Sequence, residues 1–223
     1  MGTQTVLYVQ TANIEPVVEH LSRWMERVHG KRIETRIADS VFDVYDCFLL
    51  PEENTIEAEF ETTPTMVGVG HDQGGWVTVH HNTFFEMFEV GKGLSADLRC
   101  RAVSLNAQTV TDAWRLGIFE SGERIRRVDW VGESGDWRLN EGKPLPFEAQ
   151  PLGKNLGSEE DPFYVFGHHE VSEYCAHLDL RIWRDDFGSP WTILSIPGVG
   201  SNRRPRVEEK EPSFWAKFFR LKG

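Results

Sequence analysis

The side chains best placed for chemistry lie near the C-terminal end: His168, His169, Glu173 and His177. On a helix, His169, Glu173 and His177 fall at i, i+4 and i+8, roughly on one face. Two imidazoles and a carboxylate suit zinc or another divalent ion, the basis of a metal-dependent hydrolase. The spacing differs from the H-E-x-x-H arrangement of metalloproteases. The span from i to i+8 is about 12 Å, too long for both imidazoles to reach one ion from a straight helix. The same residues also read as the solvated face of a helix that buries Val171, Tyr174, Cys175 and Leu178. A second histidine group, His71-Asp72 with His80-His81, follows a Gly-rich stretch. Adjacent strand residues point to opposite faces, so at most one of His80 and His81 can join His71. An enzyme would draw on His71, His80, His169, Glu173 and His177; ordinary loop and strand-end polarity explains the same letters.

Other chemical signatures fail on context. Ser95, Ser104, Ser195 and the cysteines at 47, 100 and 175 are available as nucleophiles, but none sits in a G-x-S-x-G elbow. Cys47 and Cys100 stand among apolar residues and read as core thiols. Gly91-x-Gly93-x-x-Ala96 matches a dinucleotide fingerprint by letters only. That fingerprint needs a strand before the glycines and a helix N-terminus after them, to seat the pyrophosphate. Here the expected order is helix, glycines, strand. No catalytic residue and no cofactor follow from the sequence.

Charge is more informative. The net charge is −11 over 223 residues. Residues 1–73 carry −8, residues 74–150 carry −2, residues 151–202 carry −5 and residues 203–223 carry +4. An acidic body repels phosphate backbones and argues against nucleic-acid binding. It suits a basic protein partner, whose approach it would accelerate, and it also serves solubility. Apolar runs are too short to span a bilayer, and the N-terminus has no secretory signal. Three widely spaced cysteines fit neither a zinc pattern nor a disulfide framework, and read as reduced thiols in a cytoplasm.

The elements that must position these groups alternate between strands and helices. Residues 5–11 read as a strand. A helix follows, with Asn13 as N-cap, Pro16 in its first turn and Gly30 at its end. Residues 32–38 form a second strand, and 41–50 with 55–62 a hairpin. A Gly-rich connection, 67–75, leads to a strand at 76–81, a short helix at 83–90, and strands at 97–105, 109–120 and 123–131. Ser121-Gly122 turns between the last two. Residues 135–157 read as loop, 163–166 as a docking segment and 170–178 as a short helix. Residues 180–183 and 191–196 make a final hairpin.

A sequence echo organises this list. Val44-Tyr45-Asp46-Cys47-Phe48-Leu49-Leu50 reads again as Val110-Thr111-Asp112-Ala113-Trp114-Arg115-Leu116, 66 residues later. It predicts an α+β protein with internally duplicated β-α-β-β-β units, at 1–66 and 74–133. Both helices would lie on one face of antiparallel sheet, with a C-terminal extension over 134–202 carrying a helix and hairpin. Asp46 and Asp112 are then equivalent acids, either a paired acid/base site or caps of one repeated turn. Residues 203–223 form a charged linker and a basic aromatic tail. Phe214, Trp215, Phe218 and Phe219 fall on one side of a short helix, fit to dock on the body, a partner groove or an anionic membrane.

Within residues 76–148, Gly93-Leu94-Ser95, Gly122-x-Arg124-x-x-Arg127 and Gly142-Lys143-Pro144-Leu145-Pro146-Phe147-Glu148 form a recognisable layout. The layout resembles uncharacterised bacterial α+β proteins found beside secreted toxins as immunity proteins. The resemblance implies a cytoplasmic, acidic, non-enzymatic protein that binds and blocks one partner, and carries over no catalytic residues. The leading expectation is therefore a protein-binding module that neutralises a basic toxin or effector. Its surface would use Asp39, Asp43, Glu52, Glu53 and Glu57, with aromatic anchors. Two alternatives stand beside it: the metal-dependent hydrolase above, and a structural or membrane-associated subunit acting through the tail.

Overall fold

The computed structural model describes residues 3–48, 63–71, 74–83, 86–108, 112–132, 136–148, 152–161, 164–180 and 190–198. The elements run β1 (Thr3–Gln10), α1 (Glu15–His29), β2 (Glu34–Ala38), α2 (Val41–Phe48), β3 (Met66–His71), β4 (Trp76–His81), α3 (Phe88–Leu98), β5 (Arg101–Gln108), β6 (Ala113–Glu120), β7 (Glu123–Val131), β8 (Asp136–Gly142), β9 (Lys154–Asn155), β10 (Tyr164–Val165), α4 (His168–His177) and β11 (Trp191–Ser195). In β1, Val6 and Tyr8 face one side and Leu7 and Val9 the other, and all four are buried. A strand covered on both faces belongs at the centre of a sheet. Nine strands form that sheet in the order β2-β11-β3-β4-β1-β5-β6-β7-β8, every neighbouring pair antiparallel. β9 and β10 make a separate two-stranded ribbon.

The central strands have the order β3-β4-β1-β5. α1 carries the chain from β1 across β4 to the β2 side, and α3 carries it from β4 across β1 to β5. This is the split β-α-β plan of ferredoxin-like domains, with β2 and β11 added at one edge and the β6-β7-β8 meander at the other. The protein is thus α+β with one large antiparallel sheet.

Two layers cover the sheet. Val17, Leu21 and Met25 of α1 and Val90 and Leu94 of α3 pack on Leu7, Val9, Val67, Val69, Val77 and Val79. His20 Nδ1 lies 2.8 Å from Asp97 Oδ2 and ties α1 to α3. On the opposite face, α4 packs Val171, Tyr174 and Cys175 on Tyr8, Leu105, Leu116 and Trp130. α2 packs Val41, Val44 and Cys47 on Met66, Trp191 and Ile193 of that same face. α1 and α3 thus share one face, while α2, expected as strand, and α4 cover the other.

The α1 expectation needs one change. Gly30 ends the helix at φ 62° and returns its N–H to Glu26, but the residue before the helix is Ile14, not Asn13. Residues 41–48 are helix α2, not the first strand of a hairpin. Ser40 Oγ accepts the Asp43 N–H at 3.2 Å and donates to Asp43 Oδ2 at 2.8 Å. That N-terminal lock, with apolar residues at 41, 44 and 47, selects helix over strand. The echoing heptapeptides thus adopt different structures: Val41–Phe48 is helix and Ala113–Glu120 is strand. The echo does not mark a structural repeat.

The expected Gly-rich connection contains β3. Gly68 and Gly70 sit inside the strand because other groups lie directly on its face. A Cβ on Gly68 would run into the Val44 side chain, and one on Gly70 would meet the Trp191 ring at 2.5 Å. The second helix is Phe88–Leu98, later and longer than expected, so Gly91 and Gly93 lie inside it. Burial of Val90 and Leu94 outweighs the helix cost of two glycines, about 1 kcal/mol each. β5 is accordingly displaced to Arg101–Gln108. Residues 136–142, expected as loop, form β8 on the outer edge of β7. β11 is inserted between β2 and β3; the segment expected to pair with it in a hairpin falls in 181–189, outside the described residues, apart from Leu180. The β6–β7 turn is as expected, with Ser121 and Gly122 at φ 50° and 87°, the type I′ signature.

Candidate functional site

The helix bearing the histidine face exists, but its residues do not converge. α4 is anchored through Val171, Tyr174 and Cys175, and its first turn is closed by Glu170, which accepts the Gly167 N–H at 2.8 Å. That anchoring turns His169 and Glu173 outward, 3.5 Å apart with side chains 74% and 58% exposed. His177 does something else. Its ring stacks on Phe147, centroids 4.1 Å apart and planes 6° from parallel. Among the described residues no three His, Cys, Asp or Glu side chains gather as a metal site. The expected His169–Glu173–His177 set is one solvated pair and one aromatic contact.

The histidines of β3 and β4 are also separated. His71 is exposed and lies opposite Val77, while His80 lies opposite Gly68, three positions along the strand and on the other face. His80 sits between Tyr45 and Trp191, with ring centroids at 5.2 and 5.4 Å. His81 points to the α1 side, and its Nδ1 has no hydrogen-bond partner among the described residues. Burial holds both imidazoles neutral, lowering each from 6.5 to about 3, with the His80 charge adding to the effect on His81. Neither can exchange a proton near neutral pH.

Asp46 and Asp112 do not meet either. Asp46 is exposed on α2, beside β3 and β11. Asp112 lies before β6, four strands from β3. Asp112 accepts the Trp114 indole N–H at 2.7 Å, and the Gly132 N–H bonds its carbonyl at 2.8 Å. Its role is to lock the end of the β6–β7 hairpin. Cys47 and Cys175 are buried and Cys100 is half-buried; none of the three is in a disulfide, and the Cys47 thiol donates to the Asp43 carbonyl at 2.8 Å. Burial pushes the Cys175 thiol up to about 12 and also raises Cys100, so neither is a ready nucleophile.

The most heavily built polar constellation in the described residues escaped the sequence reading. Arg126, with a side chain 1% exposed, grips the fully buried Glu148 carboxylate. Arg126 Nε donates to Oε1 at 2.8 Å and Nη2 to Oε2 at 2.8 Å, a bidentate fork. The Leu145 N–H donates to Oε1 at 3.0 Å, and Arg126 Nη1 donates to the Glu141 carbonyl at 2.8 Å. Burial raises the Glu148 carboxyl, but hydrogen bonds from Arg126 and Leu145, and the Arg126 charge, bring it below its usual value. The carboxylate stays ionised, so it is no general acid. The pair clamps the 143–148 segment under α4. Phe147 and Glu148 then wall a hollow of 570 Å³ with Tyr174, Glu173 and His169. One signal was present in the sequence: Arg126 sits between two other positions on an alternating strand whose neighbours Val128 and Trp130 face the core.

Of the expected partner-binding acids, Asp39 is exposed beyond β2, while Asp43 is partly buried and occupied with Ser40. Glu52, Glu53, Glu57, Phe214, Trp215, Phe218 and Phe219 lie outside the described residues. No helix among the described residues is long and apolar enough to cross a membrane. Comparison with family models, with curated proteins and with solved structures gives no match.

Proposed function

We propose that this protein is a non-enzymatic binding protein for a basic protein partner, of the cytoplasmic immunity or inhibitor type. One observation carries the reading. Residues 39–61 contain eight Asp and Glu and no Lys or Arg. This block begins just before α2, with Asp39 exposed, and runs through α2, which is pinned to the sheet by Val41, Val44 and Cys47 and presents Asp46 to solvent. A single-sign run of side chains raises the encounter rate of a cationic partner, and that advantage shrinks as salt screens it. The exposed Ile37 of β2, 61% accessible and two residues before Asp39, adds an apolar anchor.

The test is capture from native lysate with the full chain, followed by association kinetics with whatever single protein is retained. A basic partner should associate more slowly as salt rises, and Asp39→Lys with Asp46→Lys should slow it further with little change in dissociation. Retention of no basic partner, or a rate indifferent to salt and to both substitutions, overturns the reading.

A further inference from the structure

The sheet face that carries α1 and α3 also holds a cavity of 670 Å³. Trp24, Phe88 and Phe119 give it apolar walls, and Lys92, Arg124 and Arg127 give it positive ones. Arg127 is the informative residue. Its side chain is only 23% exposed, and its guanidinium lies 4.8 Å above the Phe88 ring. Its Nε is buried with no hydrogen-bond partner among the described residues. Its ion-pair contact among those residues is Asp129 Oδ2 at 3.8 Å, beyond hydrogen-bond reach. Asp129 is already engaged through Oδ1 by Arg115 at 3.2 Å, and Arg115 also holds Glu86 at 2.9 Å.

A guanidinium carries five donors in a planar fork, and burying donors without acceptors costs free energy. Phe88 stabilises the guanidinium face by cation–π contact but accepts nothing from its N–H edge. The remaining charges narrow the ligand. Arg124 is paired with Glu141 at 2.7 Å and Glu86 with Arg115, leaving Lys92 and Glu89 exposed on α3. One weakly paired guanidinium, its Nε without a partner among the described residues, beside three aromatic walls matches a single planar oxyanion on an apolar body. Glu86 and Glu89 also line the cavity and disfavour a dianion.

We propose that this cavity binds an organic monocarboxylate with an aromatic or similarly apolar body, the carboxylate taken bidentately by Arg127. Trp24, Phe88 and Phe119 hold the apolar part. The site is separate from the acidic patch of α2, which lies on the opposite face.

Calorimetric titration of the full chain with 3-phenylpropanoate, 3-phenylpropanol and inorganic phosphate tests it. The carboxylate should bind; the neutral alcohol should bind about tenfold or more weakly, since it loses the charge-assisted pair. Phosphate should bind more weakly than the carboxylate. Arg127→Met should abolish the preference for the carboxylate over the alcohol. Arg127→Lys, which keeps the charge but not the fork and preserves folding if the Met variant does not, should weaken the carboxylate by about tenfold. Arg101→Met, outside the cavity, should change nothing. No binding of the carboxylate, equal binding of acid and alcohol, tighter binding of phosphate, or wild-type affinity in folded Arg127→Lys each overturns the proposal.

Discussion

Replacing Glu148 by Gln should be among the most damaging conservative changes in this protein. The amide keeps the volume and one oxygen, so the Leu145 N–H at 3.0 Å keeps its acceptor. What disappears is the negative charge facing a guanidinium 1% exposed, with two forked contacts at 2.8 Å. Each such bond to a charged group contributes about 1.5–3 kcal/mol. Removing one partner of a buried pair costs about 3–5 kcal/mol, because the other charge stays behind without compensation. The second variant decides the cause. Arg126→Met with Glu148→Gln removes both charges, leaving the Glu141 and Arg127 carbonyls to lose donors at 2.8 and 3.4 Å. The double variant should therefore be more stable than Glu148→Gln alone. Urea unfolding, read as midpoint and slope, measures both. A loss below about 1 kcal/mol for Glu148→Gln, the scale of an exposed pair, would refute the reasoning. So would a double variant weaker than the single one.

Three further outcomes are expected. His80 and His81 bind protons readily only when unfolded, since folding lowers them from 6.5 to about 3. Their contribution to stability is therefore full above 6.5 and falls with pH toward 3, by up to about 1.4 kcal/mol per pH unit for each; His81→Phe should lower the slope of unfolding free energy between about pH 5 and 6 by one proton, and an unchanged slope contradicts the assignment. Gly70→Ala forces a Cβ to 2.5 Å from the Trp191 ring and should cost about 1–3 kcal/mol in thermal or urea unfolding, whereas a neutral effect would show that Trp191 moves freely. A thiol reagent added to native protein should modify half-buried Cys100 before Cys47 and Cys175, and peptide mapping that finds Cys175 first would contradict its burial.

Sequence periodicity was most faithful where one pattern had one structural answer. The α1 stripe Val17, Leu21 and Met25, the Gly30 stop and the Ser121-Gly122 turn are all where local chemistry puts them. Errors arose where tertiary contacts choose between states. The Val41–Phe48 segment is rich in strand formers, yet the Ser40–Asp43 lock and the Val41, Val44 and Cys47 face win. Gly68 and Gly70 look like a linker until Val44 and Trp191 are seen to rest on them. The histidine face has the right helical spacing, but spacing does not show that His177 belongs to Phe147, thirty residues earlier in the chain. Arg126 with Glu148, and Arg127 over Phe88, involve pairs that no local pattern connects.

The insertion of β11 between β2 and β3 has a consequence for biosynthesis. β2 leaves the ribosome about 150 residues ahead of the strand it pairs with, Trp191–Ser195. Closing a loop of about 150 residues is entropically costly and slow, so this edge should be the last part of the sheet to assemble. Until then β2 presents open backbone groups and Ile37, the kind of strand that recruits neighbours on crowded polysomes. A chain terminated before Trp191 would retain the β3-β4-β1-β5 centre and leave β2 stranded. Quality control of the nascent protein would then turn on β11, well outside the elements that define its central fold.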